Sequence, residues 1–135
     1  MRSIGLKAAA VLALATGAAV FVPAAANALS VAVFGQLRPG TWGIRERGED
    51  RARRVCLRSE RDLVQLRHRG QSCRRIVIED NASAATIQYS CGGSGYGRTS
   101  IRRESPDLVQ LRTDGFDGGA PFSFEAEGRR VGDCR

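Results

Sequence analysis

Two alternating segments joined by a glycine-rich turn form the most informative part of the chain, residues 85–103, with the sequence ATIQYSCGGSGYGRTSIRR. In the first segment Ile87 and Tyr89 fall on one face, and in the second Thr99 and Ile101 do the same. Such alternation predicts half-buried β-strands. Because the intervening residues are mostly glycine, we expect the two segments to form an antiparallel hairpin.

Five further segments have a strand-like composition, and turn signals separate them. They are residues 41–47, 55–57, 75–80, 107–113 and 122–127. Short strands about ten residues apart favour an antiparallel sheet. Residues 29–34 are apolar and are expected either to begin a first strand or to form a loose arm.

One short helix is predicted at residues 59–67. Ser59 stands three residues before Asp62, which is the spacing of a capping box, and Gly70 follows as a stop signal. The predicted fold class is therefore α+β, mostly β: a curved antiparallel sheet of about six to eight strands with one helix packed on it. The expected core residues are Trp42, Leu63, Leu66, Ile87, Tyr89, Val109, Phe122 and Phe124.

A hexamer occurs twice, as DLVQLR at residues 62–67 and again at 107–112. A duplication would predict matching cysteines, and they do not match, so we interpret the repeat as coincidence. A helix is conceivable for the second copy because Ser105 and Pro106 precede it. We expect a strand there, since other strands lie close on both sides.

The N-terminus has the pattern of a secretory signal peptide. Arg2 and Lys7 precede an uncharged run over residues 8–22, and Ala26-Asn27-Ala28 supplies the small residues of a cleavage site. The run is too short for a typical membrane anchor. We therefore expect residues 1–28 to be a signal peptide, 29–36 an arm or first strand, and 37–135 a single domain without a transmembrane span. The location expected is periplasmic or secreted.

The four cysteines form an even set, which in an exported chain predicts two disulfides. The sequence allows three pairings of Cys56, Cys73, Cys91 and Cys134. We favour Cys56–Cys73, which would close a short loop around the helix, together with Cys91–Cys134. A metal site is not predicted, because the chain has no C-x-x-C motif and a single histidine. No cofactor is predicted either.

Arginine supplies nearly all of the positive charge, since Lys7 is the only lysine. The net charge is +7, and removal of residues 1–28 would lower it to +5 because Arg2 and Lys7 are lost. Guanidinium groups bind carboxylates and phosphates through two parallel hydrogen bonds. The candidate anion-binding residues are Arg45, Arg47, Arg51, Arg53 and Arg54. The alternative is an ordinary charged surface, because acidic residues lie among them.

Catalytic residues are scarce in this sequence. His68 is the only histidine, and its position between Arg67 and Arg69 at a predicted helix end favours an exposed side chain. The chain has no G-x-S-x-G motif, and the glycine-rich turn at 92–97 lacks the residues of a phosphate-binding loop. We therefore predict that the protein is not an enzyme; the alternative is an enzyme of unknown class that uses His68.

Three stretches together resemble a known group. They are Leu37-Arg38-Pro39-Gly40-Thr41-Trp42, Val55-Cys56-Leu57 with a later cysteine, and Cys91 to Gly97 followed by Arg98-Thr99-Ser100-Ile101. The chain resembles the small exported bacterial proteins of domain-of-unknown-function family thirty-six seventeen. The resemblance implies a periplasmic, disulfide-bonded, β-rich domain and carries over no functional residues.

These observations favour a small exported domain with a non-catalytic binding or structural role in the cell envelope. The expected partner is an anionic envelope component or another periplasmic protein. A more specific alternative for the function is an anion-binding module that binds phosphate or acidic polysaccharide through its arginine clusters. Nucleic acid is not expected, because stacking aromatic residues are few.

Overall fold

The computed structural model describes residues 31–135, which contain one seven-stranded antiparallel sheet. The strands are β1 (Gly40–Glu46), β2 (Arg53–Leu57), β3 (Arg74–Asp80), β4 (Ala84–Ser90), β5 (Gly95–Ser105), β6 (Leu108–Asp117) and β7 (Ala120–Gly132). Their order across the sheet is β2-β1-β7-β6-β5-β4-β3. The sheet is open, with β2 at one edge and β3 at the other. The predicted fold class and the β4–β5 hairpin are confirmed.

All seven predicted strands are present, but β5, β6 and β7 extend further than their alternation indicated. Each of these three strands has a neighbour on both sides, and the ladder of pairs continues through glycines. Gly97, for example, pairs with Gly115. A glycine carries no side chain that could show which face it occupies, so the alternation ends before the strand does.

The hydrophobic core lies on one side of the sheet, which we call the inner face. Trp42 is completely buried there, and its indole Nε1 donates a hydrogen bond to the carbonyl of Arg38 at 3.1 Å. Of the eight predicted core residues, Phe122 and Phe124 are half-buried and the other six are buried. The core residues are Val31, Val33, Leu37, Trp42, Ile44, Val55, Leu57, Leu63, Val64, Leu66, Ala85, Ile87, Tyr89, Ile101, Val109, Leu111 and Ala126.

The helix is shorter than predicted: α1 spans only Arg61–Val64. It begins where Asp62 accepts hydrogen bonds from the backbone N–H groups of Arg58 and Ser59 at 2.9 and 2.8 Å. It ends because the carbonyl of Val64 accepts a hydrogen bond from the Thr99 hydroxyl at 2.7 Å instead of one from the next helical turn. The following residues continue as turns.

The repeated hexamer adopts two different structures, as predicted. Residues 62–64 belong to α1, whereas 108–112 lie within β6. The second copy pairs with β5 on one side and with β7 on the other. Pairing on both sides therefore outweighs the helix propensity of the same six residues.

The predicted disulfide pairing is wrong: the bonds join Cys56 to Cys134 and Cys73 to Cys91. Cys56 lies on β2 and Cys73 immediately precedes β3, so these two cysteines are at opposite edges of the sheet. Cys73 and Cys91 instead flank the open end of the β3–β4 hairpin, with Cα atoms 4.2 Å apart. The C-terminus crosses β1 after β7 and reaches β2 through Cys134.

The N-terminal arm does not form a strand in its described part, residues 31–36. It ends in one 3₁₀ turn (Phe34–Gln36), and Val31 and Val33 are buried against the core. The predicted signal peptide lies outside the described residues. Between Val31 and Arg135, no helix has the length and hydropathy required to cross a membrane.

Candidate functional site

Seven arginines project from the side of the sheet opposite the core, which we call the outer face. Side chains alternate between the two faces of a strand, so the residues between inward-facing ones point outward. All seven are exposed, and together they come from every strand except β4. They are Arg45, Arg54, Arg74, Arg98, Arg102, Arg112 and Arg129.

Two glutamates on β7 are each shared by two of the surrounding arginines. Glu125 lies 2.7 Å from Arg47 and 3.8 Å from Arg112. Glu127 lies 3.9 Å from Arg45 and 3.5 Å from Arg129. Each of these two clusters therefore contains two guanidinium groups and one carboxylate.

The remaining outer-face arginines include three that have no ion-pair partner among residues 31–135. They are Arg54, Arg74 and Arg98. Arg98 is paired across the ladder with Asp114, but their charged groups are not within ion-pair distance. These guanidinium groups are free to bind an external anion.

A shallow groove of about 570 Å³ crosses the outer face between β4 and β7. Its charged lining is balanced, with three guanidinium groups (Arg47, Arg102 and Arg112) and three carboxylates (Glu79, Glu104 and Glu125). Thr86, Ser100 and Gln110 add neutral hydrogen-bonding groups. The groove therefore suits a polar ligand with many hydroxyl groups. Of the three uncompensated arginines, Arg98 lies on β5 two residues from Ser100 of the groove, whereas Arg54 and Arg74 lie on the edge strands.

The predicted anion-binding arginines do not form one site. Arg45 and Arg54 lie on the outer face, Arg47 follows β1, and Arg51 lies in the β1–β2 turn. Arg53 is 3.8 Å from Glu46. A smaller pocket of about 290 Å³ beside this turn is lined by two of these arginines but by four carboxylates, namely Glu46, Glu49, Glu125 and Glu127.

Sequence reasoning missed Arg98, Arg112 and Arg129, which β5, β6 and β7 contribute to the outer face. Arg98, Arg112 and Arg129 are far apart in the chain and form no cluster in the sequence. The strand register brings them to one surface. The signal that could have found them is alternation, because Arg98 and Arg102 occupy the positions on either side of the inward-facing Thr99 and Ile101.

His68 is buried, so the prediction of an exposed imidazole is wrong. The loop after α1 folds inward instead of ending at the surface, and the ring lies against Tyr89 and Phe122. Its Nδ1 atom is 3.1 Å from the Tyr89 hydroxyl, while Nε2 has no hydrogen-bond partner and lies 3.8 Å from Asp117. Gly95 provides the space, because a Cβ there would lie 2.7 Å from Nε2.

Burial, and to a smaller extent the nearby Asp117 carboxylate, raises the pKa of Tyr89 from 10.0 to about 12, and Arg67 opposes both effects. The phenol is therefore neutral at physiological pH. His68 and Tyr89 are each at most 1% exposed, so a substrate cannot reach either side chain in this conformation. Residues 31–135 include no cluster of three or more potential metal ligands, and all four cysteines are in disulfides.

The fold and this surface define a small, disulfide-bonded, mostly β domain with an arginine-rich sheet face. Comparisons with protein-family models, with curated proteins and with solved structures each found no match to the chain. The resemblance to the exported bacterial family described above stays a prediction.

Proposed function

We propose that the protein is an exported, non-catalytic binding domain of the cell envelope, and that its outer face binds acidic polysaccharide. The observation that carries this proposal is the set of seven exposed arginines that six strands place on one face of the sheet. Neighbouring strands are about 4.8 Å apart. The register staggers these arginines along the strands, from Arg54 and Arg129 near one end of the sheet to Arg74 near the other, so a polymer that runs diagonally across the sheet would meet several of them.

The composition of the outer face favours a polysaccharide over a simple phosphate polymer. The groove offers hydroxyl, amide and charge-balanced groups that match sugar hydroxyls, and the arginines around it match carboxylates. Glu79, Glu104 and Glu125 repel anionic groups of either kind, and a polyphosphate has no hydroxyl groups that could bond to this lining in their place.

Export is supported by the cysteines and by the N-terminal sequence. Both disulfides are compatible with an extracytoplasmic location, because such bonds persist in oxidising compartments. The signal-peptide pattern of residues 1–28 points to the same compartment.

Binding is tested with oxidised protein purified from the periplasm of an expression host. The probes are polygalacturonate, polyphosphate and neutral dextran. The variant R98Q/R112Q/R129Q removes three outer-face charges. R58Q/R61Q/R69Q is the matched control, because it removes three exposed arginines around α1 and gives the same net charge.

We expect the unmodified protein to bind polygalacturonate more tightly than polyphosphate and not to bind dextran. Added salt should weaken binding, because it screens exposed charges. The outer-face variant should lose at least about tenfold in affinity, which corresponds to about 1.4 kcal/mol, and the control less than about twofold. Absence of polygalacturonate binding, or equal losses in the two variants, would overturn the proposal and leave a structural role.

A further inference from the structure

The edge strand β3 exposes an unusual amount of apolar surface. Ile76 is 66% exposed, Ile78 is 49% exposed and Val77 is 36% exposed. Only β4 pairs with β3 among the described residues, so the backbone groups on its other side have no strand partner. An apolar strand at a sheet edge is a ready template for pairing with another chain.

The opposite edge is protected in a way that β3 is not. On β2, Val55 and Leu57 are buried, and Cys56 is covalently tied to the C-terminal segment. Both edge strands have a single strand neighbour, and β3 differs from β2 in that its large apolar side chains are exposed, which favours β3 as the edge that pairs.

An irregularity in β3 determines which side chains share the outer face at this edge. Arg74 pairs with Ser90 and Ile76 with Gln88, but Glu79 pairs with Thr86, which leaves Ile78 as an extra residue. Without that extra residue, Glu79 would point to the inner face. Instead the Thr86 hydroxyl, which is on the outer face, donates a hydrogen bond to Glu79 at 3.3 Å.

The outer side of the edge therefore presents a cation, an apolar side chain and an anion in order: Arg74, Ile76 and Glu79. This arrangement is complementary to itself when one strand is reversed. We propose that β3 pairs antiparallel with β3 of a second copy of this chain, with the twofold axis beside Ile76.

In that dimer the two Ile76 residues pair at the axis, and Arg75 of each copy pairs with Val77 of the other. Arg74 then lies opposite the two-residue irregularity of Ile78 and Glu79, and Glu79 carries the side chain that shares the outer face with Arg74. Arg74 has no ion-pair partner within residues 31–135, and Glu79 is exposed, so both are available. Parallel pairing would place like charges side by side, which is unfavourable. The twofold arrangement uses the same patch on both copies, as closed dimers do.

The interface is one strand wide, so the dimer is weak and reversible. The irregularity at Ile78 interrupts the free edge and limits the regular part of the added ladder to residues 75–77. The pairing does not require polysaccharide, but it uses Arg74 of the outer face and Glu79 of the groove, so self-association is measured without polysaccharide. The pairing would join two outer faces into one continuous surface.

Sedimentation velocity on the oxidised, exported protein tests the proposal over concentrations of about 5 to about 500 µM. R74E and E79R are analysed singly and as an equimolar mixture. R98E and E49R make the same charge changes at exposed positions away from β3. Thermal unfolding of each variant checks that the fold is retained.

The unmodified protein should self-associate reversibly, and R74E and E79R should each weaken self-association at least about tenfold because like charges would then face each other. Their mixture should restore association, since Glu at 74 of one variant lies opposite Arg at 79 of the other. R98E and E49R should remain close to the unmodified protein. A monomer at every concentration, an equal effect of R98E, or a mixture of folded variants that stays monomeric would each overturn the proposal.

Discussion

The Nδ1 atom of His68 lies 3.1 Å from the hydroxyl oxygen of Tyr89, and neither side chain is more than 1% exposed. This contact joins the loop after α1 to the middle of the sheet. Since the two residues are 21 positions apart, it also fixes where the chain returns after the helix. The other imidazole nitrogen has no hydrogen-bond partner, so Tyr89 is the ring's one polar anchor among the described residues.

A double-mutant cycle on this pair should show strong coupling. Y89F leaves the buried Nδ1 atom without a partner, and H68L leaves the Tyr89 hydroxyl without one, so each should lower the free energy of unfolding by about 1–3 kcal/mol. The double variant should be less destabilised than the sum of the two, by about 1 kcal/mol, because no polar group of the pair is then left unsatisfied. Urea denaturation measures all four proteins. Strictly additive losses would show that the hydrogen bond contributes nothing.

Stability should also depend on Tyr89 at alkaline pH. The pKa of its phenol is about 12 in the folded protein, against 10.0 for an unperturbed tyrosine, so the folded state holds a proton that the unfolded state releases. The stabilisation that the protonated Tyr89 gives to the folded state is therefore complete below pH 10.0. It is lost as pH rises through about 12. The free energy of unfolding should fall by about 1.4 kcal/mol per pH unit in that interval.

Y89F is the control for this pH dependence, because phenylalanine cannot ionise. Between pH 10.0 and about 12, the free energy of unfolding should decline steeply for the unmodified chain and less steeply for Y89F. Parallel declines would mean that Tyr89 is not the group responsible.

Short apolar or β-branched runs predicted β2, β3 and β6, and alternation predicted β1, β4, β5 and β7, because a strand with one buried face needs apolar residues at every second position. Alternation also assigned Ile87, Tyr89 and Ile101 to the inner face correctly. The disulfides and His68 were predicted wrongly because both depend on which distant segments meet. Nothing local to Cys56 indicates that β2 and β3 occupy opposite edges of the sheet.

The outer arginine face could not be predicted from the sequence for the same reason, because it depends on which distant segments meet. Each arginine follows the rule of alternation on its own strand, but the surface exists only after β7 pairs with both β1 and β6. Of the sequence cluster Arg51 to Arg54, only Arg54 belongs to the outer face; Arg51 lies in the turn, and Arg53 is 3.8 Å from Glu46.

The two disulfides should contribute unequally to stability. Cys56–Cys134 spans 78 residues and Cys73–Cys91 spans 18, so loop-closure entropy predicts about 4.5 and about 3 kcal/mol respectively. C56S/C134S should therefore be less stable than C73S/C91S in urea denaturation. Peptide mapping without reduction provides the control, since it should recover Cys73 linked to Cys91. A peptide that links Cys56 to Cys73 would contradict the structure.

Gly97 should tolerate no side chain, whereas Gly93 in the same glycine-rich stretch should tolerate one. A Cβ at residue 97 would meet the Tyr89 hydroxyl and lie 2.5 Å from Cζ of that ring, while a Cβ at residue 93 has no neighbour within 4 Å. G97A should lower the free energy of unfolding by about 1–3 kcal/mol through overpacking, and G93A by less than about 0.5 kcal/mol. Near-ultraviolet circular dichroism should change in G97A alone, because Tyr89 must shift. Equal stability of the two variants would show that Tyr89 does not lie against β5.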